Sequence, residues 1–192
     1  MGNPQQDRIT AAMLPDGDVV GILLKQHARI RELFQQVRAA AGDERRERFN
    51  ELRALIAVHE TAEQIVLRPN TAERVNERIA EARTQEEVEA TKALAELEHL
   101  DVDSPAFASS FAVFEKSVTE HSEAEEEEEF PAIVNGYTVE ERRRLGRMLK
   151  ATEAIAPTHP HPKVAGHDVA TIATLPVASI IDRARDALRQ AS

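Results

Sequence analysis

FASSFAVFEKSVTEHSEAE, residues 107–125, decides the fold. Phe107, Phe111, Phe114, Val118, His121 and Glu125 recur at steps of three and four, so they share one face of a helix. That face begins as a core stripe and ends in an imidazole and a carboxylate. Three other segments carry ionisable groups on an apolar stripe in the same way. Val20, Leu23, His27, Ile30, Phe34 and Val37 form one stripe, and Phe49, Leu52, Ile56, His59, Glu63 and Val66 form another. Glu87, Ala90, Leu94 and Leu97 form the remaining one. Uncompensated burial of such groups costs several kcal/mol each. A metal centre is the compensation these residue types suggest.

Composition narrows the alternatives. The bias toward Ala, Glu, Arg and Leu is that of a helical protein. A formal net charge of -10 over 192 residues argues against nucleic acid or an anionic membrane as partner. The absence of Cys excludes disulfides, thiolate metal clusters and Cys nucleophiles. Any metal must be held by N and O donors, which suit iron, manganese or zinc. Met1–Thr10 has no apolar signal core, and no run approaches a membrane span. A cytoplasmic protein is the expectation.

Start and stop signals order the chain as an all-α fold. They predict a flexible arm over 1–15, an antiparallel up-down-up-down four-helix bundle over 16–131, and a C-terminal helical extension over 132–192. Asp18 caps the first helix and Gly42 ends it. Asp43 caps the second, which stops near Arg68 before Pro69, and residues 70–76 read as a loop or a frayed turn. The third helix spans about 76–100. Ser104 and Pro105 open the fourth, which ends at Phe130 before Pro131. In the extension, Thr138 and Glu141 form a capping box for a basic helix over 138–155, expected against the acidic end of the fourth helix. An extended segment from Pro157 to Pro162 carries His159 and His161, and an amphipathic helix follows over 176–190. Its apolar face calls for bundle surface, a homodimer partner or another protein, and is not basic enough for a membrane.

Antiparallel helices bring together residues equally far from the turn that joins them. His27 lies about 15 residues before the Gly42 turn and His59 about 15 after it, each about 22 Å from that end. His121, counted from Ser104, reaches the same height, and on the third helix that height falls at Glu86 and Glu87. One layer therefore collects His27, His59, Glu63, Glu86 or Glu87, His121 and Glu125. The His59/Glu63 and His121/Glu125 pairs are spaced i, i+4, with both side chains on one helix face. Facing each other, they offer two carboxylates able to bridge two cations. The competing readings are buried ion pairs and a metal-free polar layer that sets helix register. The first finds no Lys or Arg on the same stripe except Arg83, one turn from Glu87. His99 falls about 18 Å from the layer and is not read as a ligand. Glu60 is read as facing solvent or a neighbour of the ligands. Of the run Glu125–Glu129, Glu125 and, one turn on, Glu128 are read as pointing inward.

These residues resemble a known family. Val58-His-Glu-Thr-Ala-Glu63, continuing to Arg68-Pro69, is similar to the second helix of the hemerythrin-like, or HHE cation-binding, domains. Glu120-His-Ser-Glu-Ala-Glu125, continuing to Phe130-Pro131, is similar to their fourth, and His27 matches the first-helix His. The resemblance covers roughly residues 17–131. It implies a four-helix bundle, a non-haem centre of two iron ions bridged by oxo and carboxylate groups, and work with O2, hydrogen peroxide or nitric oxide. Manganese and zinc are second choices. The implied ligands are His27, His59, Glu63, Glu87, His121 and Glu125, with Glu86 as the alternative to Glu87. Oxygen-carrying members place His-x-x-x-His on the third helix, whereas here Glu87 falls on the His position. Three His and three carboxylates favour the ferric state. That points to catalase-like peroxide breakdown or other handling of oxidative stress. The alternative is a non-catalytic sensor or binder of O2, nitric oxide or iron that signals through its C-terminal extension.

Overall fold

The computed structural model describes residues 2–156 and 158–160. They are all-helical, without a strand among the described residues. The elements are α1 (Pro4–Met13), α2 (Val19–Ala39), α3 (Gly42–Ala62), α4 (Arg68–Arg74), α5 (Glu77–Leu97), α6 (Pro105–Ala124), α7 (Phe130–Gly136) and α8 (Val139–Glu153). A π turn over Glu63–Leu67 joins α3 to α4, and a second over Glu125–Glu129 joins α6 to α7. Among the described residues, no helix is long and apolar enough to cross a membrane. The segment 161–192, with the helix expected over 176–190 and with His161, lies outside the described residues.

The caps explain most boundaries. Asp18 accepts from the Val20 N–H at 3.1 Å and Ser104 from the Phe107 N–H at 3.1 Å. Gly42 turns the chain with φ 58°, a left-handed value that suits glycine. α3 begins at Gly42 itself, without a side-chain cap from Asp43; Asp103, in the loop before α6, accepts the Gly42 N–H at 3.1 Å. Thr138 and Glu141 form the expected capping box. Thr138→Ala is expected to cost about 1 kcal/mol. In a thermal melt that is a fall of about 2–4 °C for a chain of this size.

Two proline-based expectations fail for one reason. Pro69 and Pro131 do not end their helices: α4 runs through Pro69 to Arg74 and α7 through Pro131 to Gly136. Each proline sits in the first turn after a π turn, where its missing N–H leaves no helical bond broken. Residues 70–76, expected as a loop or a frayed turn, are therefore largely helical.

The expected flexible arm contains α1. Asn3 caps it and Pro4 opens it. Asp7 is buried and accepts from Arg31 at 2.5 Å, while Ala11 joins an apolar cluster with Val19 and Leu23. These contacts tie the segment to α2 across 24 residues of sequence. The basic helix α8 also departs from expectation. It packs on α2, α3 and the first π turn. One buried pair fixes it, Arg142 donating to Asp18 at 2.7 Å. A run of exposed glutamates offers much weaker, screened attraction.

The core is split. One apolar cluster holds Ile30, Phe34, Ile56, Ala90, Phe114 and Val118, and extends to Phe49, Phe107 and Phe111. A second holds Leu24, Val66, Leu67, Phe130 and Leu149. Along each helix the ionisable residues fall between the two clusters: His27 between Leu24 and Ile30, His59 and Glu63 between Ile56 and Val66, His121 and Glu125 between Val118 and Phe130.

Candidate metal centre

Four elements deliver the polar layer. α2 supplies His27, α3 supplies His59 and Glu60, α5 supplies Glu87, and α6 supplies His121. Glu63 and Glu125 each open a π turn. The Arg68 N–H bonds to the Glu63 carbonyl, and the Phe130 N–H to the Glu125 carbonyl, five residues back in both cases. Such wide turns recur at functional sites because they re-aim side chains. All of these residues are buried, and Glu63, Glu87 and Glu125 have no exposed surface (0 %).

The three imidazoles are oriented alike. His27 Nδ1 meets Glu126 Oε1 at 2.7 Å, His59 Nδ1 meets Gln26 Oε1 at 2.8 Å, and His121 Nδ1 meets Glu86 Oε2 at 2.8 Å. Each partner is an oxygen acceptor, which makes Nδ1 the donor and aims Nε2 into the layer. There His27 Nε2 lies 3.3 Å from Glu125 Oε2, His121 Nε2 lies 3.4 Å from Glu125 Oε1, and His59 Nε2 lies 3.5 Å from Glu63 Oε2. The donor atoms form two groups, each within 4.8 Å. His27, His59, Glu63 and Glu125 make one, and Glu60, Glu63, Glu87 and His121 make the other. Glu63 belongs to both.

All six residues expected in the layer are therefore brought together, and Glu87 is the α5 residue that enters it. Glu86 stands behind His121 at 37 % exposure and also pairs with Arg83 at 3.1 Å. His99 is exposed at the end of α5, away from the layer. His159, also exposed, pairs with Glu98 at 2.7 Å.

Two places around the layer depart from the sequence reading, and Glu60 takes the second of its two expected positions. It is buried at 4 % exposure beside Glu63, Glu87 and His121, not turned to solvent. Its spacing of four from Ile56 and three to Glu63 already carried that signal. Arg68 is buried among four carboxylates: it donates to Glu87, Glu125 and Glu129 and lies 3.3 Å from Glu63. The expectation that the stripe lacks a cation is thus corrected, because the π turn carries Arg68 inward from what reads as a helix end. In the second π turn the inward residue after Glu125 is Glu129, which accepts from Thr71, while Glu128 is exposed.

The electrostatics are those of crowded, opposed charges. Burial pulls His27 down, but the nearby carboxylates of Glu125 and Glu126 outweigh it and raise the imidazole. His121 is raised well above its ordinary value, Glu125 overcoming burial. His59 is pushed well below it by burial and by the charges of His27 and His121. Glu125 is held well down by His121 and Arg68 against its burial. Burial raises Glu63 and Glu87, and lifts Glu60 to about 7.

The layer fits a cation. Among the described residues, His27 Nε2, His121 Nε2, Glu60 Oε2, Glu63 Oε1, Glu87 Oε2 and Glu125 Oε2 are buried without a hydrogen-bond partner. Buried polar atoms are nearly always satisfied, so six orphans gathered in one layer fit a shared partner. Two imidazole nitrogens and four carboxylate oxygens are the donor set of a first-row transition metal. A sequence comparison gives the same reading: the family model of the Hemerythrin HHE cation binding domain matches residues 18–133. The chain belongs to that family. No curated protein and no solved structure matches it.

Proposed function

We propose that α2, α3, α5 and α6, with their π turns, form an antiparallel up-down-up-down four-helix bundle around a non-haem di-iron centre that reacts with hydrogen peroxide. His27, His59, Glu63, Glu87, His121 and Glu125 are the proposed ligands. The set of unpartnered buried donor atoms carries this reading. The two donor groups sharing Glu63 support two ions and not one. Iron in such a site supplies one- or two-electron exchange with a small oxygen ligand.

The chain's own residues shape what reaches the centre. A cavity of about 10 Å³ lies beside it, lined by His27, His59, Glu60 and His121 on the polar side and by Ile30, Phe34 and Val118 on the other. That is space for about one water-sized molecule, a scale that favours a small ligand such as peroxide or a diatomic gas. Glu60 lines this cavity, and burial lifts its carboxyl to about 7 in the metal-free layer, which puts a group able to carry a proton beside the small ligand. Glu126, Gln26 and Glu86 keep the imidazoles turned inward throughout.

The test is oxygen evolution from peroxide by iron-loaded protein. Turnover is expected, and Glu60→Gln is expected to slow it by about 100-fold, the usual weight of a positioned proton donor, with metal content read beside it to separate proton transfer from ligand loss. Iron-loaded protein that binds nitric oxide or O2 reversibly and leaves peroxide intact would reject the enzyme reading. One observation favours a sensor in that case. His59 donates to Gln26, and Gln26 Nε2 donates to Glu153 Oε1 at 2.6 Å. A two-bond relay therefore links the layer to the last turn of α8, where the C-terminal extension continues.

A further inference from the structure

Arg68 occupies a place that a cation would share. Its Nη2 contacts Glu125 Oε1 and lies 3.3 Å from Glu63 Oε2. Those same two oxygens face His121 Nε2 at 3.4 Å and His59 Nε2 at 3.5 Å. The guanidinium leaves Glu63 Oε1, Glu87 Oε2 and Glu125 Oε2 free and contests only the second oxygen of each carboxylate, which a carboxylate shared between two ions would also need. Nε donates to Glu87, another residue of the donor groups. Nη1 donates to Glu129, which belongs to neither group and is itself fixed by Thr71. The side chain is almost fully enclosed, at 5 % exposure.

We propose that Arg68 is an internal stand-in for a metal ion. It gathers Glu63, Glu87 and Glu125 when the centre is empty, and it opposes loading by competing for their oxygens. This deepens the metal-centre reading and rests on it. Three buried carboxylates without a cation repel one another and lack solvation. A guanidinium answers both problems, because its planar fork reaches several carboxylates at once; an ammonium does not. The arriving ion then meets a fixed positive charge and shared oxygens. Glu129 gives the guanidinium an anchor that no cation contests. By linkage, what Arg68 contributes to the empty form is subtracted from cation affinity.

The experiment titrates wild-type, Arg68→Met and Arg68→Lys protein with Co2+ under nitrogen. Binding is read by d–d absorption and by thermal melts with and without the ion. Without metal, Arg68→Met is expected to melt below wild type. It is expected to bind Co2+ about tenfold more tightly, the weight of one charged hydrogen bond released from competition. Its melting temperature should also rise more on loading than that of wild type. Arg68→Lys should fall between the two. If the Met variant does not fold without metal, the Lys variant carries the test, since its ammonium cannot fork across Glu63 and Glu125. Equal or weaker Co2+ binding by both variants, with wild-type melting increments, overturns the proposal. Failure of wild type and variants alike to bind Co2+ overturns the metal-centre reading itself.

Discussion

Glu125→Gln is expected to strip the protein of metal. Glu125 faces two imidazoles, His27 at 3.3 Å and His121 at 3.4 Å, through different oxygens, and the second of these also meets Arg68. No other carboxylate of the layer faces two imidazoles so closely. Glutamine keeps the shape and removes the charge that holds His27 and His121 in register. Partners outside the ligand set are worth about 10–100-fold in metal affinity, so losing a ligand should exceed about 100-fold. The fold should survive, because Arg68 keeps Glu63, Glu87 and Glu129 as partners. Metal analysis of the purified variant beside its far-ultraviolet circular dichroism checks both halves. A folded variant with wild-type metal content would remove Glu125 from the site.

Phe107→Ala has the largest expected effect on stability. Phe107 is 1 % exposed in the apolar cluster at the far end from the metal layer. Its ring stacks on Phe111 with centroids 5.3 Å apart and meets Phe49 edge-on at 5.1 Å. Truncation removes these contacts and leaves a cavity, at about 3–5 kcal/mol. For a chain of this size that is roughly 6–20 °C in melting temperature. Metal content should be unchanged, because none of the donor atoms contacts this ring. The two variants therefore separate what holds the fold from what holds the ion.

Much of the site could be read from the residues. His27, His59, Glu63, His121 and Glu125 are legible because each interrupts an apolar stripe of helical period, and because the short turns at Gly42 and Ser104 fix their heights. Membership of the HHE family follows from the same residues. What escaped depends on departures from the regular helix. Pro69 and Pro131 read as stops because nothing local announces the π turns that make them harmless. Arg68 read as a helix end for the same reason; only the five-residue bond back to Glu63 brings it inside. α1, expected as part of a flexible arm, depends on the distant Asp7–Arg31 contact, which local sequence does not carry. Glu60 was left open between solvent and the ligands' neighbourhood because His59 beside it points inward, and adjacent residues on a helix usually diverge.

The most direct measurement is metal content and the visible spectrum of protein purified in air, followed by a thermal melt with and without a strong chelator. The proposed di-iron centre predicts two irons per chain, visible absorption from ferric iron, and a melting temperature that falls when the metal is removed. Colourless protein that takes up no transition ion, and that melts at the same temperature with or without chelator, would contradict the account.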